Sequence, residues 1–171
     1  MSEADFGVRI MPMRMEDVER VAALAGEIWR AHYPGIIAQA QIDYMLAQRY
    51  NPEVMRAELA RDGIWWDLAC VGNDPIAFAS YFLTDVAGEM KLDKIYVQQR
   101  YQRAGLGGLL IEHACRTARG RGCWRLVLAV NRHNVNAIGA YRKHGFAIEG
   151  SVVKDIGGGF VMDDYLMVRT L

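Results

Sequence analysis

Seven residues, Gln102-Arg103-Ala104-Gly105-Leu106-Gly107-Gly108, separate two stretches of different periodicity, and this junction constrains the rest of the chain. Before it, Lys91 to Val97 alternates charged and apolar residues with the period of a half-buried strand. After it, Leu106, Leu109, Leu110, His113, Ala114 and Thr117 recur at helical spacing and predict one buried face, with Glu112, Arg116 and Arg119 on the others. A strand therefore ends, a glycine-rich turn follows, and a helix begins inside the turn. The first N–H groups of such a helix have no internal partner, and the helix dipole adds partial positive charge there. Glycines allow a phosphate to reach this backbone without meeting a Cβ. Arg100 and Arg103 add formal charge beside it. The junction suits a pyrophosphate cradle. The plain alternative is a strand–helix turn with two solvated arginines.

Two common phosphate motifs do not fit. No Gly-Lys-Ser/Thr follows, which argues against a triphosphate P-loop. The dinucleotide fingerprint needs a third glycine where Leu110 stands. The pattern left is Gln/Arg-x-x-Gly-x-Gly/Ala, from Gln102 to Gly107.

The chain has 171 residues, enough for one domain with a full core. Its 20 basic and 20 acidic residues cancel, so no basic excess points to nucleic acid or an anionic membrane surface. Cys70, Cys115 and Cys123 are odd in number and lack a Cys-x-x-Cys pair, so neither a disulfide framework nor a zinc site is expected. Buried free thiols, a reducing cytoplasm and no metal are the expectation. Met1 to Asp5 starts acidic with no apolar run behind it, so no secretory leader is expected. Nor does any run approach the roughly 18 apolar residues of a membrane span.

The first strand is predicted at Phe6 to Pro12, and a helix from Glu16 to about Ala31 buries Val18, Val21, Ala22, Ala25, Ile28 and Trp29. Gln39 to Gln48 reads as a helix. Asn51-Pro52 opens another, with Asn as cap and Pro at its first position. His32, Tyr33, Asp43 and Tyr44 are candidate substrate contacts, set against ordinary packing. Trp65 to Val71, Ile76 to Leu83 and the strand before the cradle form an antiparallel meander. Trp124 to Val130 is a fifth strand. Phe146 to Ile156 and Phe160 to Arg169 form a hairpin across three glycines.

A second informative stretch runs from Asn134 to Phe146. Asn134 can cap a helix and Gly145 can end it in the left-handed conformation, which puts Ala137, Ile138 and Tyr141 on one inner face. A tyrosine there is either core packing or a phenol offered to a site. The pattern Asn-x-x-Ala-x-x-x-Tyr-x-Lys-x-Gly-Phe, together with Gln102 to Gly107, resembles the two signatures of the GNAT N-acetyltransferase superfamily, in order and separated by a helix and a strand. Leu92 to Val97, Tyr101 to Gly107 and Gln39 to Met45 further resemble the Pai-type bacterial polyamine acetyltransferases.

The resemblance implies an α/β (α+β) acyl-CoA N-acyltransferase fold. Its mixed, mostly antiparallel sheet has about seven strands, is flanked by helices and splays between strands 4 and 5. It implies acetyl-CoA as cosubstrate, with the pantetheine arm along Ile95, Tyr96 and Val97. Gln102, Arg103, Ala104, Gly105, Leu106, Gly107 and Gly108 would hold the pyrophosphate, and Asn134, Tyr141 and Lys143 would complete the cofactor side. Tyr141 would protonate the leaving thiolate, and the Val97 N–H would meet the oxyanion. Asp93 or Glu89 would take the proton of the amine. Strand alternation puts Asp93, Ile95 and Val97 on one face and Lys94 and Tyr96 on the other.

The expected partner is a small-molecule amine, without nucleic acid or membrane. A polyamine would want an acidic groove, for which Asp43, Asp85, Glu89, Asp93, Asp163 and Asp164 are available. A protein N-terminus, an aminoglycoside, an amino acid and a non-catalytic acyl-CoA-binding module remain alternatives. The edges of the last strands leave a homodimer open.

Overall fold

The computed structural model describes residues 7–171, and Phe6 lies outside the described residues. Seven strands form one sheet: β1 (Val8–Pro12), β2 (Ile64–Val71), β3 (Asp74–Leu83), β4 (Glu89–Val97), β5 (Arg125–Asn131), β6 (Ala147–Gly157) and β7 (Phe160–Thr170). Their spatial order is β1-β2-β3-β4-β5-β7-β6. Five helices flank it: α1 (Val18–His32), α2 (Gln39–Arg49), α3 (Pro52–Leu59), α4 (Leu106–Gly120) and α5 (Val135–Lys143). Among the described residues no helix is long and apolar enough to cross a membrane.

All neighbouring strands are antiparallel except β4 and β5. Those two run parallel, joined through the crossover helix α4, and they pair only from Glu89–Arg125 to Lys91–Val127. Beyond Lys91 the strands separate, so the sheet is split along its middle toward the carboxyl end of β4.

Each face of the sheet carries its own core. On one side α4 and α5 bury Leu110, Ile111, Ala114, Cys115 and Ile138 against Met90, Leu92, Leu126, Leu128 and Met167. On the other, α1 to α3 bury Val21, Ile28, Trp29, Ile42 and Met55 against Trp66, Leu68 and Phe78. The three cysteines are free and buried. Asn51 caps α3 as its sequence suggests, its Oδ1 accepting from the Glu53 amide at 2.9 Å.

Two periodicity readings are corrected. The buried face of α4 is Leu106, Leu110, Ile111, Ala114, Cys115 and Ala118, so the helix is rotated from the predicted face. His113 and Thr117 flank that face because β2 and β3 place a buried polar pair, Asp67 and Tyr81, beneath them. Tyr81 donates to Asp67 and lies 3.3 Å from the Thr117 hydroxyl, and His113 Nε2 stands 3.4 Å from Asp67. The second correction concerns β4. Ser80 faces Lys94 while Tyr81 faces Leu92, so Asp93 is an extra residue without a counterpart on β3. A bulge of this kind breaks the two-residue alternation. Leu92, Ile95 and Val97 face the α4 side, and Tyr96 packs on the α1 side. Asp93 is turned to α2, where it meets Arg49, and so leaves the face predicted for it.

Candidate active site

The divergence of β4 from β5 opens a cleft of about 1430 Å³. One wall is the β4 edge. Gln98 donates its amide to Ile76 on β3 at 2.8 Å. In an antiparallel ladder alternate residues turn their amides to opposite sides. Ile95 and Val97 therefore present N–H and C=O groups to the cleft, whereas the Tyr96 amide faces β3 and only its side chain is available there. The Val97 carbonyl already accepts from Gln102 Nε2 at 3.1 Å, which pins the start of the glycine turn to the strand end.

Gly105 is the N-cap of α4 with φ 83°, and Arg103 also sits at positive φ, 63°. Open space surrounds the positions where Gly105 and Gly107 would carry a Cβ, so their amides can be approached. A Cβ on Gly108 would stand 2.6 Å from the His144 ring, so this glycine lets α4 and α5 approach. Gln102, Arg103, Gly105, Leu106, Gly107 and Gly108 line the cleft. Ala104 of the predicted loop does not.

The opposite wall is α5. Phe146 donates its amide to the Tyr141 carbonyl at 3.1 Å and Gly145 to Arg142 at 3.1 Å, while Gly145 takes φ 85°. This is a Schellman stop, and the accompanying apolar contact is Tyr141 against Phe146, ring centroids 5.8 Å apart. The Tyr-x-x-x-Gly-Phe spacing thus fixes the tyrosine through the helix end. Burial, with the neighbouring Tyr96 second, pushes the Tyr141 phenol well above its ordinary value. It therefore carries its proton at neutral pH and can donate it.

Asn134 occupies the N-cap position but makes no side-chain cap. Its Oδ1 instead lies 3.1 Å from His32 Nε2, a contact that ties the end of α1 to the start of α5 across the cleft. Lys143 is exposed at the cleft rim.

The far end of the cleft is walled by α1, α2 and the β6–β7 hairpin, including Tyr33, Tyr44, Arg49, Asp155, Met162 and Asp164. Tyr44 donates to the Ile156 carbonyl at 2.8 Å, and Gln41 Nε2 donates to the Val161 carbonyl at 3.0 Å, so α2 is fastened over the hairpin. A Cβ on Gly158 would meet the Tyr44 ring at 2.8 Å, which explains a glycine turn here. Tyr33 and Tyr96 share a hydrogen bond of 3.0 Å within this aromatic wall, and burial raises both phenols.

Asp93 is held in an ion-pair network. Arg49 stands 2.9 Å from it and Lys94 2.5 Å, and Lys94 also reaches Glu58 at 3.5 Å. Burial alone would raise the Asp93 carboxyl, but Arg49 and Lys94 outweigh it and bring it down to about 2. Such a group is a weak proton acceptor at neutral pH. Glu89 lies outside the cleft, bound by Arg125 at 2.9 Å and by the Thr84 hydroxyl at 2.8 Å. Of the expected acidic groove, Asp93 and Asp164 line the cleft, while Asp43, Asp85, Glu89 and Asp163 do not. Arg49, Lys91 and Asp155 line it without having been anticipated, because their placement depends on packing between distant segments. No group of His, Cys, Asp and Glu suited to a metal occurs among the described residues.

The acetyltransferase (GNAT) family profile matches residues 24–146. The chain belongs to the acetyltransferase (GNAT) family. The split sheet and the paired signatures of this GNAT chain are therefore those of an acetyl-CoA-dependent enzyme class. The chain is 25% identical over 158 residues to a spermidine N(1)-acetyltransferase of Thermoplasma acidophilum, covering 91% of this chain and 96% of that one. It is 28% identical to a peptidyl-lysine N-acetyltransferase, YjaB, of Salmonella typhimurium, covering 88% and 91%. The fold superposes on the crystal structure of the PaiA N-acetyltransferase of T. acidophilum in complex with coenzyme A, with TM-score 0.83, 23% identity, and coverage of 96% and 99%.

Proposed function

We propose that this GNAT enzyme transfers the acetyl group of acetyl-CoA to a primary amine of a small polycationic molecule, a polyamine, by direct attack in a ternary complex. The observation that carries the reading is the placement of Tyr141 on one wall of a cleft whose other wall turns the Ile95 and Val97 amides inward. The open approach to Gly105 and Gly107 fits a diphosphate at the N-terminus of α4.

When bound, acetyl-CoA supplies the activated thioester. The chain's own groups do the rest. Ile95 and Val97 hold the pantetheine amides as an added strand would. Gln102, Gly105 to Gly108 and the α4 dipole would hold the pyrophosphate, with Arg103 and Lys143 at the rim and Asn134 beside the arm. The Val97 N–H faces the charge that develops on the carbonyl oxygen. As the C–N bond forms and the C–S bond breaks, Tyr141 would give its proton to the leaving sulfur, and the proton released by the nitrogen would pass through cleft water to restore the phenol. Asp93, with its carboxyl at about 2, acts as a positioning residue that braces the β4 bulge through Arg49 and Lys94.

The polyamine acceptor is supported by the spermidine relative and by Asp155 and Asp164 at the far end of the cleft, Asp93 being already paired with Arg49 and Lys94. The peptidyl-lysine relative keeps a lysine side chain as the second reading, since it presents the same primary amine. A cytoplasmic location accords with three buried free thiols, and a homodimer accords with the exposed edge strand β6.

The test is release of free thiol from acetyl-CoA with a panel of amines, including spermidine and a lysine peptide. Spermidine turnover above the buffer rate, cut at least about tenfold by Tyr141→Phe with acetyl-CoA affinity retained, is expected. Full turnover in that variant would remove the phenol from the reaction. Coenzyme A binding without transfer to any amine would identify a non-catalytic acyl-CoA module.

A further inference from the structure

One buried carboxylate at the acceptor end has no task in the reaction above. Asp164 lies on β7, opposite Asn131 of β5 and Val152 of β6. It is 7% exposed and lines the cleft. Its neighbour Asp163 belongs to the other face of the strand and accepts from Arg132 Nε at 2.8 Å. Asp164 has no such satisfaction: its Oδ1 is buried with no hydrogen-bond partner among the described residues.

A carboxylate in that state is strongly unfavourable, and an apolar side chain would pack there at less cost. The cations around it do not relieve it. Arg49 is engaged by Asp93 at 2.9 Å. Lys91 holds its ammonium 6.0 Å from the centre of the Phe82 ring. Burial raises the Asp164 carboxyl, and Asp163 adds to this, while Lys91 and Arg49 only partly oppose it. Lys154 of β6 lines the same cleft, yet no donor, from it or from Arg49 or Lys91, reaches Asp164 Oδ1.

We propose that Asp164 is the specificity residue that anchors a second, non-reacting ammonium group of the acceptor, so that the enzyme prefers diamines and longer polyamines to monoamines. This rests on the acetyltransferase reading and deepens it. An acceptor with two cationic ends places one nitrogen near the thioester and the other against Asp164, where it supplies the missing hydrogen bonds. A monoamine must leave the carboxylate unsatisfied when its reacting end is in place.

The experiment compares spermidine with an alkyl monoamine of similar length, on the wild type and on Asp164→Asn, with coenzyme A affinity as a control for folding. The wild type is expected to favour spermidine in kcat/KM. Asp164→Asn is expected to lower that ratio at least about tenfold, through the KM of spermidine, as for loss of a buried charged hydrogen bond. An unchanged ratio overturns the proposal. If the variant does not fold, the wild type decides, since equal kcat/KM for the two amines also overturns it. Calorimetry of spermidine with the coenzyme A complex separates this inference from the reading beneath it. Binding without acetyl transfer, weakened about tenfold by the substitution, would keep the anchor and reject the transferase. Neither binding nor transfer rejects both.

Discussion

Lys94 is the residue on which the local electrostatics of β4 depend. Its side chain is 2% exposed, stands between Asp93 and Glu58, and lies 5.0 Å from the centre of the Trp66 ring. Removing one member of a buried ion pair leaves the other charge uncompensated, so Lys94→Ala should destabilise the fold by about 3 kcal/mol, measured by urea unfolding. The Asp93 carboxyl gives a pH signature. Its folded value, about 2, lies below the ordinary 3.8, so its contribution to stability is complete above 3.8 and is lost as pH falls through about 2. Asp93→Asn should flatten the dependence of unfolding free energy on pH within that window; an unchanged slope there would remove Asp93 from the acid response. The local geometry at Tyr141 and Gly105, which both line the cleft, was legible because helix stops and turns are local chemistry. Arg49 was not, because nothing near it in the chain says that α2 will lie across the bulge.

At the scale of the element, the helix end after Tyr141 and the bulge at Asp93 set where these two side chains stand on the cleft. Gly145 holds φ 85° at the stop of α5. A Cβ there costs about 1–2 kcal/mol from conformation alone. Gly145→Ala should therefore lower Tm, and by moving Tyr141 it should reduce kcat more than acetyl-CoA affinity, as steady-state kinetics and calorimetry would show. Gly108→Leu should weaken both, since the added side chain drives α4 away from His144. Helix and strand identities followed from periodicity over nearly the whole described chain. The face of α4 and the alternation in β4 did not. Periodicity gives a spacing but not a phase, and one unpaired residue reverses every side chain beyond it.

For the whole molecule, the split between β4 and β5 divides the sheet into two parts held by three residue pairs and by α4. A ligand lodged in the split contacts both parts and binds only the folded chain. At about 100 times its Kd, coenzyme A should add about 2.7 kcal/mol of stability. That corresponds to a rise of roughly 5–10 °C in Tm for a domain of this size, readable by differential scanning fluorimetry. No rise would mean that coenzyme A does not bind the folded chain.

The order of elements, the glycine turn before α4, the tyrosine and its helix stop were written in contiguous residues, because capping, turn conformation and period act over a few positions. The width of the cleft, the phase of α4, the pairing of Asp93 with Arg49 and the isolation of Asp164 came from segments far apart in the chain. Such contacts depend on how whole elements pack, and no short stretch of residues encodes where a distant charge will come to rest.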